Sequence, residues 1–132
     1  LDALVPPRKY DVPHGEGYWR FRRLEATARS ILDGGSVWAR EIKRPVAEQS
    51  SEIIEHERRR AVRMSEYFEN EIQNEVFQGE LNKPQLLLFC ALDLERRVPG
   101  FDWRAKCPRL CEWFRRLEVS KAAAASLPPT GV

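Results

Sequence analysis

Apolar residues recur along this chain at alternating steps of three and four. From Phe21 they run Phe21, Leu24, Ala28, Ile31, Gly35, Trp38 and Ile42, the spacing of a helix that turns one stripe toward a core. Pro45 predicts its end, because proline has no N–H to continue the ladder and clashes with the preceding turn. Within the stripe stands Asp33-Gly34-Gly35. A glycine costs roughly 1 kcal/mol relative to alanine inside a helix, so a kink or a close approach by another helix is expected there.

A second helix is predicted after the capping pair Ser50-Ser51, with Ile54, Ala61, Met64, Phe68 and Ile72 facing inward. Its other face is charged, and Glu55 with Arg59, or Glu57 with Arg60, stand where helical ion pairs form. Gln78-Gly79 breaks the pattern. Leu81-Asn82-Lys83-Pro84-Gln85 then reads as a helix start. Asn82 serves as N-cap, Pro84 sits in the first turn, Gln85 can close a capping box, and Leu81 can staple against Leu86.

The run 86–92 would be apolar all round. No alternating segment elsewhere offers it a strand partner, so it predicts a central buried helix that ends near Val98-Pro99-Gly100. The next helix starts at Pro108, with Leu110, Trp113, Phe114 and Leu117 inward and Arg109, Glu112, Arg115, Arg116 and Glu118 outward. A short alanine-rich turn over 122–125 precedes Leu127-Pro128-Pro129 and a tail expected to fray. The fold class is all-α. Pro6, Pro7, Pro13, Gly15 and Gly17 deny regular structure at the start. Residues 1–17 are therefore expected to be an inter-domain linker or ordered lead-in loop, 18–127 the helical domain and 128–132 the tail.

Composition narrows the function classes. The chain has 132 residues with 22 Lys or Arg against 20 Asp or Glu, a net charge of +2, and 42% apolar residues. A disordered polyelectrolyte is excluded, and the length suits one domain. An excess of two charges is too small to steer the molecule onto nucleic acid or an anionic membrane, so neither is expected as a partner. Most of the bases are Arg and most of the acids Glu, which predicts a surface laced with Arg–Glu pairs. The longest apolar run falls far short of the roughly 20 residues of a membrane span. Three Cys without a CxxC motif point to a reducing, cytoplasmic compartment.

Tests for chemistry find no self-contained catalytic set. His14 and His56 are far apart in sequence, and Cys107 and Cys111 stand one helical turn apart with no matching pair, so no metal site is expected. Gly15-Glu16-Gly17 follows no strand and lacks the spacing of a phosphate-binding loop. What remains is an amphipathic helical module suited to packing against another domain or another copy of itself.

Several motifs together bring a family into view. The segment 81–129 contains Asp102-Trp103-Arg104, then Pro108-Arg109-Leu110-Cys111-Glu112-Trp113, then Ala125-Ser126-Leu127-Pro128. It resembles the C-terminal helical domain of bacterial cytosolic glutathione S-transferase (GST)-like proteins, which show a D-W-R turn, P-x-L-x-x-W and a small-residue stretch ending near proline. Asp33-Gly34 and the closing Arg44-Pro45 resemble that domain's first long helix, and 51–71 its second. One departure stands out: the family's S/T-x-x-D capping box is here Asn82-Lys83-Pro84-Gln85.

The resemblance implies a bundle of five to six helices that follows an N-terminal thioredoxin-like domain, absent from this sequence, which binds glutathione. The chain is then either a fragment that continues upstream of Leu1 into a strand-helix-strand pattern, or 132 residues is its natural length. Glutathione would be co-substrate of the full-length parent, and this chain alone would hold no cofactor and would not be catalytic. The helical domain would form the side of the pocket facing a small apolar electrophile and part of a homodimer interface. Tyr18, Phe21, Arg22, Glu25 and Arg29 are the residues this assigns to the pocket or dimer face, and Leu81, Asn82 and Gln85 are the structural helix cap. The alternative is a non-catalytic protein–protein interaction module of the same fold.

Overall fold

The computed structural model describes residues 14–120, which form five α-helices: α1 (Gly17–Glu41), α2 (Ser51–Glu71), α3 (Glu75–Gln78), α4 (Lys83–Asp93) and α5 (Pro108–Glu118). Two 3-10 turns, Val46–Glu48 and Leu94–Arg96, lie in the connections. No strand occurs among the described residues, so the all-α expectation holds. The proline-rich start, the alanine-rich turn over 122–125 and the tail lie outside the described residues.

α1 starts at Gly17, four residues before the stripe that predicted it, so Tyr18 and Trp19 are helical. Gly15, at φ +91°, accepts the Tyr18 N–H at 3.1 Å and closes the entry turn. That left-handed φ favours glycine. Phe21, Leu24, Ala28, Ile31 and Trp38 are buried as their spacing requires, and α1 packs mainly on α4 and α2. The helix runs unbroken through Gly34-Gly35. Both glycines mark close approaches. A methyl group on Gly34 would meet the side-chain ends of Glu57 and Arg60 from α2, and one on Gly35 would lie 2.5 Å from Leu94 Cδ1.

Helix ends are tied by side chains from their neighbours. Gln49 donates its amide to the carbonyls of Ile42 (3.1 Å) and Arg44 (2.9 Å), satisfying the orphan acceptors beyond α1. The buried Glu41 carboxylate accepts the Ser50 N–H at 2.6 Å, and Ser50 Oγ caps α2 by accepting the Ile53 N–H at 3.3 Å. Cys107, the N-cap of α5, supplies no side-chain cap. Glu69 of α2 fills that role, accepting the N–H of Arg109 at 3.1 Å and of Leu110 at 2.8 Å.

The start of α4 uses both residues the sequence singles out. Asn82 Oδ1 accepts the Gln85 N–H at 3.1 Å and Asn82 Nδ2 donates to the Val76 carbonyl at 2.7 Å. Gln85 Nε2 donates to Val76 at 2.9 Å and to Gly79 at 3.4 Å, so its side chain is spent on the short helix α3 and its exit turn. α3 itself has no counterpart in the apolar pattern. It is capped by Asn74, whose side chain accepts the Val76 N–H at 3.0 Å, and it buries Phe77.

α4 corrects the expectation of a helix buried on every side. Leu88, Phe89, Ala91 and Leu92 are buried, but Leu86 and Cys90 are exposed and Leu87 and Leu94 half-buried. An apolar stripe of α4 therefore faces outward.

Between the helices the core is closed by aromatic rings. Phe68, Phe77 and Trp113 meet edge to face at 5.7 and 5.9 Å, and the Trp113 indole donates to the Phe77 carbonyl at 3.1 Å. Phe114 stacks on Phe89 at 4.6 Å and meets Trp103 at 5.4 Å. Each such fully buried side chain contributes on the order of 1.5–3 kcal/mol, and the ring geometry about 1 kcal/mol more per pair. Arg104 pins the 99–107 connection to Glu95, its Nε donating to Oε1 (2.8 Å) and Oε2 (2.9 Å) and its Nη2 to Oε1, while its guanidinium lies 4.6 Å over Trp103 and 4.8 Å over Phe114.

Candidate functional site

Helix α1 distributes the five residues assigned to the pocket or dimer face over two directions. Phe21 belongs to the inward stripe and is buried. Tyr18, Arg22, Glu25 and Arg29 are spaced at four, three and four residues, so they share one strip on the outer side of the helix, running about 16 Å at a rise of roughly 1.5 Å per residue. Arg22 Nη1 donates to Glu25 Oε2 at 2.8 Å. Arg29 is exposed and makes no hydrogen bond or ion pair among the described residues. Tyr18 is half-buried and meets the ring of Trp19 edge-on at 5.0 Å.

Trp19 is the residue that reading the apolar stripe passes over. It stands off the core-facing positions and is 77% exposed. Burying a tryptophan normally yields a large share of a core or interface. An aromatic out of phase with its helix's stripe is the signal that would have found it.

The strip is chemically quiet. The described residues hold no group of three or more His, Cys, Asp or Glu that could bind a metal ion. Burial, followed by the nearby Asp93 charge, pushes the Cys90 thiol up from its ordinary value. Burial, with Glu69 and Glu66 adding to it, pushes Cys107 up to about 11. Both thiols stay protonated at neutral pH and are poor nucleophiles. The structural-cap residues stand elsewhere, at the α3–α4 junction, where Leu81 is half-buried and Asn82 and Gln85 make the bonds already described. Three clefts lie away from the strip, at α2 with the 100–107 loop, at Ile72 with Arg116, and at Glu52 with Arg63. Arg–Glu pairing dominates that surface, as the composition implies: Arg58 and Arg59 both bind Glu55, at 2.7 and 2.6 Å, and Arg60 binds Glu57 at 3.1 Å. Held by Arg58 first and Arg59 next, the exposed Glu55 carboxyl titrates near 2.

This arrangement of helices is the fold of the helical part of glutathione transferase family members. Two crystal structures of such a protein from Pseudomonas fluorescens Pf-5, with bound S-(propanoic acid)-glutathione and with bound glutathione, superpose at a TM-score of 0.82 and 24% identity. The match covers 90% of this chain and 62% or 59% of those chains. In sequence the chain is 29% identical over 114 residues to the uncharacterized GST-like protein YibF of Escherichia coli strain K12, covering 83% of this chain and 55% of that protein. No protein-family model matches. The resemblance carried by the D-W-R turn and the P-x-L-x-x-W helix therefore holds. The chain spans little more than half of the relatives it matches, and no helix of the described residues is long and apolar enough to cross a membrane.

Proposed function

We propose that this chain is the C-terminal helical domain, residues 18–127, of a cytosolic glutathione transferase-like protein. In this reading residues 1–17 link it to a thioredoxin-like domain that binds glutathione, and 128–132 are the tail. The outer strip of α1, with Tyr18, Arg22, Glu25 and Arg29, faces the small apolar electrophile or the mate of a homodimer. Phe21 supports the strip from beneath. The observation that carries the proposal is the match in fold over nine-tenths of the chain to a protein crystallised with glutathione and with S-(propanoic acid)-glutathione, of whose length it spans about three-fifths.

The Cys90 and Cys107 thiols are pushed up from their ordinary values. In this reading the domain supplies walls and orientation, while the thiol of glutathione, held by the other domain, attacks an electrophilic carbon. Outward apolar residues on α4, Leu86 and Cys90, and the exposed Trp19 give the domain surface for such contacts.

A second reading is a non-catalytic interaction module of the same fold. It is favoured by the α4 cap, where Gln85 replaces the acidic residue of the family's box. Steady-state kinetics of the protein extended upstream of Leu1 separate the readings. With Arg29→Ala, the transferase reading expects KM for an aryl halide to rise while KM for glutathione stays unchanged; the module reading expects no turnover to perturb.

A further inference from the structure

We propose that residues 121–132, the segment that follows α5, dock along the outward apolar strip of α4. Leu86, Cys90 and Asp93 are spaced at four and three residues, so they form one line on that helix, about 10 Å long at a rise of roughly 1.5 Å per residue. Leu86 and Cys90 are exposed, and Leu87 and Leu94 are half-buried beside them. Apolar surface left in water in this way favours a cover.

One end of the line is where α5 ends. Arg96 Nε lies 2.7 Å from Asp93 Oδ1, and Arg96 Nη2 donates to Glu118 Oε1 in the last turn of α5. A single guanidinium therefore ties the C-terminal end of the α4 strip to the exit of α5. Val119, the C-cap of α5, is 84% exposed, so the chain is already apolar as it leaves that helix. The residues from Lys121 to Leu127 reach at most about 25 Å from Ser120. That is more than twice the length of the strip, which brings both Cys90 and Leu86 within range of Leu127.

The composition of the segment suits this seat. Lys121 is its one charged side chain, and it carries alanines over 122–125, then Leu127 with Pro128 and Pro129. Prolines lower the entropy lost when a segment is held. The rival occupant is a second copy of the chain. A segment anchored at the end of the strip docks at an effective concentration on the order of millimolar, which a separate copy at micromolar concentration does not match. Any ligand or domain that uses Leu86 and Cys90 must then displace the segment first, so the chain carries its own competitor for that surface.

Access to the Cys90 thiol tests this on the whole chain, because Cys107 and Cys111 are buried. The rate of Cys90 alkylation by N-ethylmaleimide, followed by mass spectrometry, should rise about fivefold or more with Leu127→Ser, which removes the main apolar contact. Leu127→Met, which conserves volume, should keep the parent rate. With Leu127→Cys, diamide should join the new thiol to Cys90 within one chain. A rate unmoved by Leu127→Ser, or a disulfide formed only between chains, would overturn the proposal. An unmoved rate that rises on dilution would overturn it in favour of a second copy. No glutathione enters the assay, so its failure leaves the transferase reading untouched.

Discussion

The carboxylate of Glu69 accepts the backbone N–H of Leu110 at 2.8 Å, so the last turn of α2 caps the first turn of α5. The same group binds the Arg109 N–H and, at 2.9 Å, Arg109 Nε. α5 starts with a proline and a cysteine N-cap that offer no side-chain acceptor of their own, and its exposed N–H groups attract negative charge. A buried carboxylate in this place does two jobs. It satisfies orphan donors, and it fixes the distance between two helices that otherwise share few contacts.

Glu69→Gln should therefore destabilise the fold by about 2 kcal/mol at neutral pH, because one amide oxygen replaces two charged acceptors and the NH2 is turned toward donors. Burial raises the Glu69 carboxyl, but the Leu110 amide and the Arg109 side chain and amide outweigh it, and the net direction is down. A depressed pKa means the stabilisation is present above the unfolded value, near 4.3 for Glu, and is lost as pH falls through the folded value. Urea denaturation of both forms across pH should show their difference shrinking on the acid side only.

Gln85→Glu probes the opposite chemistry at the start of α4. The Gln85 amide donates to two carbonyls, so an ionised carboxylate there would place charge against acceptors, at a cost of about 2 kcal/mol or more. The pKa of the introduced carboxyl should be raised in the folded state. Its penalty is then smallest below the unfolded value and grows as pH rises through the folded one. Thermal melts should find the variant closest to the parent in acid, with the penalty of the introduced carboxylate growing toward neutral pH.

Gly34 and Gly35 should respond differently to alanine although both gain about 1 kcal/mol of helix propensity. At Gly34 the new methyl meets the flexible ends of Glu57 and Arg60, which can swing toward solvent. At Gly35 it meets Leu94 Cδ1, packed against the core, and overpacking costs roughly 1–3 kcal/mol. Equilibrium unfolding should rank Gly34→Ala above Gly35→Ala by about 1 kcal/mol or more.

How much of this was legible in the sequence differs by feature. The stripes of α1 and α5, the Asn82 cap and the Pro108 start follow from spacing and residue chemistry within one turn or two, and the structure has them in those places. The caps given by Glu41 to Ser50 and by Glu69 to Leu110 were not legible, since the second joins residues 41 apart in sequence and no local pattern encodes such a pair. α3 is too short for periodicity to reveal it. The open side of α4 was misread because an unbroken apolar run looks the same whether a helix is buried by its own chain or shows one face. For the candidate site, Tyr18, Phe21, Arg22, Glu25 and Arg29 came from the resemblance of the first helix to the family, and the structure turns Phe21 inward while the other four share one strip. Trp19 was missed because it stands outside the stripe, and no local pattern of residues encodes what the strip faces.

The central claim is that these helices serve a glutathione-dependent transferase, and its most direct test is turnover. The protein extended upstream of Leu1 should be purified, passed over immobilised glutathione and assayed for conjugation of glutathione to a generic aryl halide. Retention on the resin with glutathione-dependent product formation is the expected result. No retention and no turnover would contradict the transferase reading and leave the interaction module in its place.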